Sequence, residues 1–163
     1  YVQNQSSFLN RPQVIESPFH LVRPDDDQRQ EGGRFEVAFT WTESTDTLSK
    51  AFVNGIPTGS GGTHEQGLRD AINRALRAYI EQHSLCPKGV SLTPDDLREG
   101  MIAAVHVFIS DPQFQGQTKD KLNNTEARNF VSGTLRPALE QLFPCSKYLL
   151  YSNVFFQYIL LVS

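Results

Sequence analysis

Hydrophobic residues along this chain change period several times, and each change marks an element. In "RFEVAFTWT", Phe35, Val37, Phe39 and Trp41 alternate with Glu36, Ala38 and Thr40. A period of two puts the first set on one face of a strand, against a core. "SPFHLVR" before it and "LSKAFVNGIPT" after it read as strands, and early antiparallel pairing among the three is the simplest arrangement. Leu68, Ala71, Ile72, Ala75, Leu76, Tyr79 and Ile80 then recur at three and four, which predicts an amphipathic helix. Thr63 is placed to cap it, with Gln66 completing a capping box. Arg69, Asn73 and Arg77, at i, i+4 and i+8, form a polar stripe on another face.

"SLTPDDLREG" predicts a brief helix: Thr93 as cap, Pro94 at its first position, Asp95 and Asp96 at the positive end of the dipole, Gly100 as the stop. "MIAAVHVFIS" is apolar on both faces and reads as an interior strand, with His106 as a core or sheet-face residue. A polar loop follows, "DPQFQGQTKDKL". A last helix is expected from Asn123, with Glu126 placed for a box and an apolar stripe of Ala127, Phe130, Val131, Leu135, Ala138, Leu139 and Leu142. Pro137 removes one of its backbone bonds and predicts a kink. The tail "YLLYSNVFFQYILLVS" is shorter than the about 20 residues of a bilayer-spanning helix. It is also interrupted by Ser152, Asn153 and Gln157, and reads as a segment docked on the domain.

Composition narrows the picture. A chain of 163 residues, 39% hydrophobic, suggests one domain with a real core. A formal charge of -3 excludes global attraction to nucleic acid or acidic membranes but leaves room for a local basic face. Cys86 and Cys145 match no metal spacing and are expected as thiols, in a reducing compartment. No second histidine or carboxylate stands at ligand spacing from His106, so no metal site is expected. "PDDDQRQEGG" reads as a solvated hairpin loop. Thr63 and His64 are expected to hold a turn, and Arg98 with Glu99 to form a local ion pair. The chain starts at Tyr1, with neither methionine nor signal peptide, which points to a cytoplasmic fragment of something longer.

Three stretches occur in order: "FVNGIPTGSGGTHEQGLRDAINRAL", "LTPDDLREGMIAAVHV" and "DPQFQGQTKDKLNNTEAR". Together they resemble the transducer region of the ATPase subunit of bacterial type IIA DNA topoisomerases, the gyrase B protein and its topoisomerase IV counterpart, across residues 8 to 143. The resemblance implies an α+β fold of the ribosomal-protein-S-five domain-2-like kind: a mixed sheet backed by helices, with a left-handed βαβ crossover. It divides the chain into an N-terminal connection (1–18), the transducer domain (19–143) and an atypical apolar C-terminal segment (144–163).

The resemblance also implies a role. ATP would be bound mainly by an adjacent GHKL domain of the same polypeptide, and Gln117 and Lys119 of the Gln-Thr-Lys loop would reach its γ-phosphate. ATP binding and hydrolysis would thereby be coupled to DNA strand passage. A lysine ammonium is a compact charge with three donors, and a glutamine amide adds a bond without adding charge. Charge-assisted bonds are worth about 1.5–3 kcal/mol each. Two of them, present only with the γ-phosphate, shift an orientational equilibrium by a factor of about hundreds. Mg2+ in the parent enzyme, a second copy of the same subunit, a topoisomerase A-type partner and DNA are implied as well, and no membrane. Arg69 and Arg77 are candidate DNA-phosphate contacts, with a solvated helix face as the equal alternative.

The family's Glu-x-x-x-Asn helix, Asp-x-Gly-x-Gly motif and glycine-rich lid do not occur here, nor does an acidic metal core or a strand-cleaving tyrosine in matching surroundings. No catalytic residue is expected in this chain, which alone should neither hydrolyse ATP nor cut DNA. The segment after Phe143 departs from the charged helix that the family usually has there. A rival reading is a stand-alone, ATPase-less paralogue that binds or regulates a topoisomerase. A third, a small-molecule kinase of the same fold superfamily, is opposed by the lack of a glycine-rich phosphate loop.

Overall fold

Five strands make one mixed sheet: β1 (Phe19–Arg23), β2 (Arg34–Trp41), β3 (Leu48–Val53), β4 (Ile56–Pro57) and β5 (Met101–Phe108), in the order β1-β2-β5-β3-β4. The computed structural model describes residues 19–23, 33–42, 44–86, 89 and 91–145. The N-terminal connection 1–18, nearly all of the acidic loop, the Cys145 side chain and the apolar tail beyond 145 lie outside the described residues, with the expectations placed on them.

Strand β2 pairs antiparallel with β1, as expected, but not with β3. Strand β5 lies between β2 and β3, antiparallel to the first and parallel to the second. The reason lies in β5 itself. Met101, Ala103, Val105 and Val107 are buried toward the helices, and Ile102 on the other face is buried too. A strand apolar on both faces gains most at the centre, where both of its backbone edges are also satisfied. Parallel β3 and β5 need a crossover, which helix α1 (Thr63–Gln82) supplies.

Helices α1 and α2 (Thr125–Leu142) pack on each other, and residues of both join the sheet in one core. Phe35, Val37, Phe39 and Trp41 of β2 meet Leu68, Ile72 and Leu76 of α1 and Val131, Leu135 and Leu139 of α2 there. Each large apolar side chain buried in this way contributes about 1.5–3 kcal/mol. Phe35 and Phe130 pack edge to face, ring centroids 5.2 Å apart. Gly67 lets the helices approach, since a Cβ at that position would lie 2.6 Å from the Arg128 carbonyl oxygen. Asp70 and Arg128 bridge the pair at 2.7 Å. Helix α2 runs through Pro137, whose ring is exposed, as is Gly133, whose carbonyl loses its donor.

The end signals fare unevenly. Thr93 and Asp96 do bond reciprocally, the Asp96 N–H donating to Thr93 Oγ1 (3.2 Å) and the Thr93 N–H to Asp96 Oδ2 (2.6 Å), but Asp95, not Thr93, holds the cap position, without a side-chain bond. The segment is a single 3-10 turn, Asp96–Arg98. Arg98 pairs with Asp95, not Glu99, because neighbours three apart share a helical face and adjacent ones do not. The cap of α1 is Gly62, not Thr63, and no side chain bonds the helix end. Asn124, not Asn123, caps α2, again without a side-chain bond to the helix. Among the described residues no helix is long and apolar enough to cross a membrane.

Candidate functional site

After β5 the chain makes a small hairpin, β6 (Phe114–Gln115) with β7 (Lys121–Leu122), and the Gln-Thr-Lys loop is its tip. Both ends are pinned by apolar side chains: Phe114 packs on the core and Leu122 is fully buried within it. Between them no residue is apolar, so nothing draws the tip inward, and residues 115–120 are all exposed. The base is held by the Asn124 side chain, whose Oδ1 accepts the Gln113 N–H (2.6 Å) and whose Nδ2 donates to the Asp111 carbonyl (3.2 Å). Lys119 has a left-handed backbone, φ 57°. Among the described residues neither Gln117 nor Lys119 has a hydrogen-bond or ion-pair partner, so an amide and an ammonium stand two residues apart, open to an anion.

The hairpin lies against the start of α1. The Ser60 N–H donates to the Asp120 carbonyl (2.9 Å) and the Leu122 N–H to the Gly61 carbonyl (3.2 Å), while Gly62 and Leu122 form a parallel bridge. This contact displaces Thr63 from the cap position, and its hydroxyl is sealed from solvent without a partner. The Glu65 carboxylate lies against Gly61, so the chain's own anion occupies the positive end of the helix. His64 is fully buried, its Nε2 3.3 Å from Thr58 Oγ1. Burial pushes its pKa down to about 4, with Glu65 opposing and His106 adding to the shift. The expectation that His64 holds the turn agrees with this placement.

The two arginines of the polar stripe are exposed on α1, but neither is idle. Arg69 pairs with Glu65 at 2.6 Å, and Arg77 donates to the Leu92 carbonyl at 3.0 Å. Asn73, between them, is half-buried, and its Oδ1 is sealed. An open cleft of about 830 Å³ runs beside the outer edge of β3 and includes Lys50, Arg69 and Arg98 together with Glu65, Asp95 and Glu99. Two of the three cations are neutralised by Glu65 and Asp95, so the cleft is not a strongly positive groove. Neither Lys50 nor Glu65 was singled out in the sequence. Glu65 left a usable signal there, its i, i+4 spacing to Arg69.

His106 sits on the sheet face opposite the core, one of the two placements the sequence left open, between the rings of Phe52 and Phe108. The Gly55 N–H donates to its Nε2 (2.9 Å), which places the neutral ring's proton on Nδ1. Burial lowers its pKa, with Glu36 raising it and Arg34 lowering it further. Among the described residues no group of three His, Cys, Asp or Glu side chains comes together to hold a metal ion.

Known proteins resemble this chain over most of its length. A family model described as DNA gyrase B matches residues 3–153. The gyrase B protein of Mycobacterium leprae is 43% identical over 125 residues, which cover 76% of this chain and 18% of that protein. The 43K ATPase domain of Thermus thermophilus gyrase B, solved with an aminocoumarin, superposes with a TM-score of 0.75 at 30% identity, covering 88% of this chain and 38% of that one. The topoisomerase IV ATP-binding domain of Francisella tularensis, solved with a small-molecule inhibitor, gives 0.69 at 32% identity over 82% of this chain and 36% of that one. This chain spans less than a fifth of the length of the curated gyrase relatives.

Proposed function

The chain belongs to the DNA gyrase B family, and on that premise we propose that it is the transducer part of the ATPase subunit of a type II topoisomerase. In this reading Gln117 and Lys119 contact the γ-phosphate of ATP held by an adjacent GHKL domain. They couple the state of that nucleotide to the orientation of the domain and so to DNA strand passage. One observation supports the assignment most: the two side chains that the phosphate contact needs are exposed, and among the described residues neither has a partner, on a tip whose base is fixed to the core.

The chemistry follows from the donors. A Lys ammonium and a Gln amide suit a terminal phosphate, and both contacts vanish when that phosphate leaves. The remaining needs of ATP hydrolysis, a general base and Mg2+ ligands, fall to the adjacent domain and the nucleotide itself. Arg69 and Arg77 take the second role, contacts to DNA phosphate, for which Arg69 must exchange the Glu65 carboxylate and Arg77 the Leu92 carbonyl. The paired charges of the cleft fit an isolated chain with little affinity for DNA at physiological salt.

The test is Lys119→Ala in the intact protein, reconstituted with its A-type partner. ATP-driven supercoiling or relaxation is expected to fall by about a hundredfold or more, as when a positioned contact to a reacting phosphate is removed. Turnover at the unaltered rate would refute the assignment of Lys119.

A further inference from the structure

A ladder of two residues on each side does not hold a hairpin in water. The β6–β7 hairpin nonetheless has a defined place, because part of its support comes from the turn that opens α1. Ser60, Gly61 and Gly62 together receive or give the main-chain contacts to Asp120 and Leu122, one to three residues beyond Lys119. The fit is close. Gly62 has φ +145°, and a Cβ there would lie 2.6 Å from both the amide nitrogen and the carbonyl oxygen of Leu122. Those are backbone atoms, which cannot swing aside as a side chain does. Beneath the turn, Thr58 and His64 are buried, and the Thr58 carbonyl accepts the Gly61 N–H at 2.9 Å. Leu122 is itself in the core.

From this we infer that the Ser60–Gly61–Gly62 turn is a clasp that positions the Gln-Thr-Lys loop, and that Gly62 is its positioning residue. The absence of a side chain at 62 lets the loop and the first turn of α1 move as one body. A displacement at Lys119 is therefore delivered to the helix that carries Arg69 and Arg77, instead of being absorbed by a loosely hinged loop. The functional part of this inference rests on the proposed contact between Lys119 and a terminal phosphate; the mechanical part does not.

Two measurements test the two parts separately. In this chain, hydrogen exchange at the Leu122 and Ser60 amides is compared between Gly62→Ala and Gly59→Ala. Gly59 belongs to the same turn, but a Cβ there meets nothing within 4 Å. Gly62→Ala is expected to speed exchange at both amides by about tenfold or more while β5 amides keep their protection. Equal exchange in the two variants would overturn the clasp. Should β5 lose protection as well, Ser60→Pro decides by exchange at the Leu122 amide alone, since it removes the Ser60 N–H bond to Asp120 at an exposed residue.

In the intact protein, Gly62→Ala is expected to lower ATP-driven turnover by about tenfold or more, the scale on which displaced contacts act. Combined with Lys119→Ala it should cost nothing beyond Lys119→Ala alone, because both act through the same contact. A multiplicative loss in the double variant would overturn the positioning role. Normal turnover of Lys119→Ala would remove the phosphate reading only, and the exchange comparison would still decide the clasp.

Discussion

Strand β5 and the hairpin β6–β7 are separated by residues 109–113 alone, yet they solve opposite problems. Strand β5 has a partner on each edge and five buried apolar side chains, Met101, Ile102, Ala103, Val105 and Val107. The hairpin has two residue pairs in its ladder and six consecutive exposed residues at its tip. The difference shows how one length of chain can be both frame and probe. A frame needs its backbone bonds and apolar surface spent internally, whereas a probe needs its polar groups left open. The hairpin reconciles the two by fixing its base, through Leu122, Asn124 and the α1 turn, and releasing its tip.

The comparison can be broken hardest on the frame side. Phe35 lies opposite Val107 of β5 and is fully buried, so Phe35→Ala is expected to cost about 3–5 kcal/mol in urea unfolding. A loss below about 1 kcal/mol would mean that the core is not organised around this face.

His64, at the seam between frame and probe, gives an intermediate effect that depends on pH. Its pKa in the fold is about 4, below the ordinary value of 6.5, so the unfolded chain binds its proton more readily. The neutral ring's contribution is complete above pH 6.5 and is lost as pH falls toward 4, by about 3 kcal/mol at most. The slope of stability between those limits should be shallower in His64→Gln, and an unchanged slope would show that His64 is not the group responsible.

The smallest effect belongs to the probe. Lys119→Ala should leave unfolding stability within about 0.5 kcal/mol, since no described residue pairs with it. Its calorimetric midpoint should match that of the parent chain. A clear loss would mean that Lys119 is bound within its own domain and is not held out for a neighbour.

Much of this was legible along the chain, wherever the cause is local. The alternation of Phe35 to Trp41, the three-and-four spacing of Leu68 to Ile80 and the two-faced apolarity of β5 each survive into the structure, because periodicity follows directly from which face must be buried. The reciprocal pair of Thr93 and Asp96 lies three residues apart and is equally local. The Gln-Thr-Lys loop was visible as a polar interval between apolar anchors.

What the sequence alone determined, then, was the main strands and helices, their buried faces and the open polar loop between β5 and α2; it ran β3 and β4 together as one strand, where the chain turns at Asn54 and Gly55, and it did not separate β6 from β7. Tertiary structure decided that β5 separates β2 from β3, that Gly62 rather than Thr63 caps α1, and that the loop is fastened to that helix start. These depend on partners far apart in sequence, such as Gly62 with Leu122. No local pattern encodes such a pair, because its energy arises only when distant backbone donors and acceptors are brought together by the packing of the core.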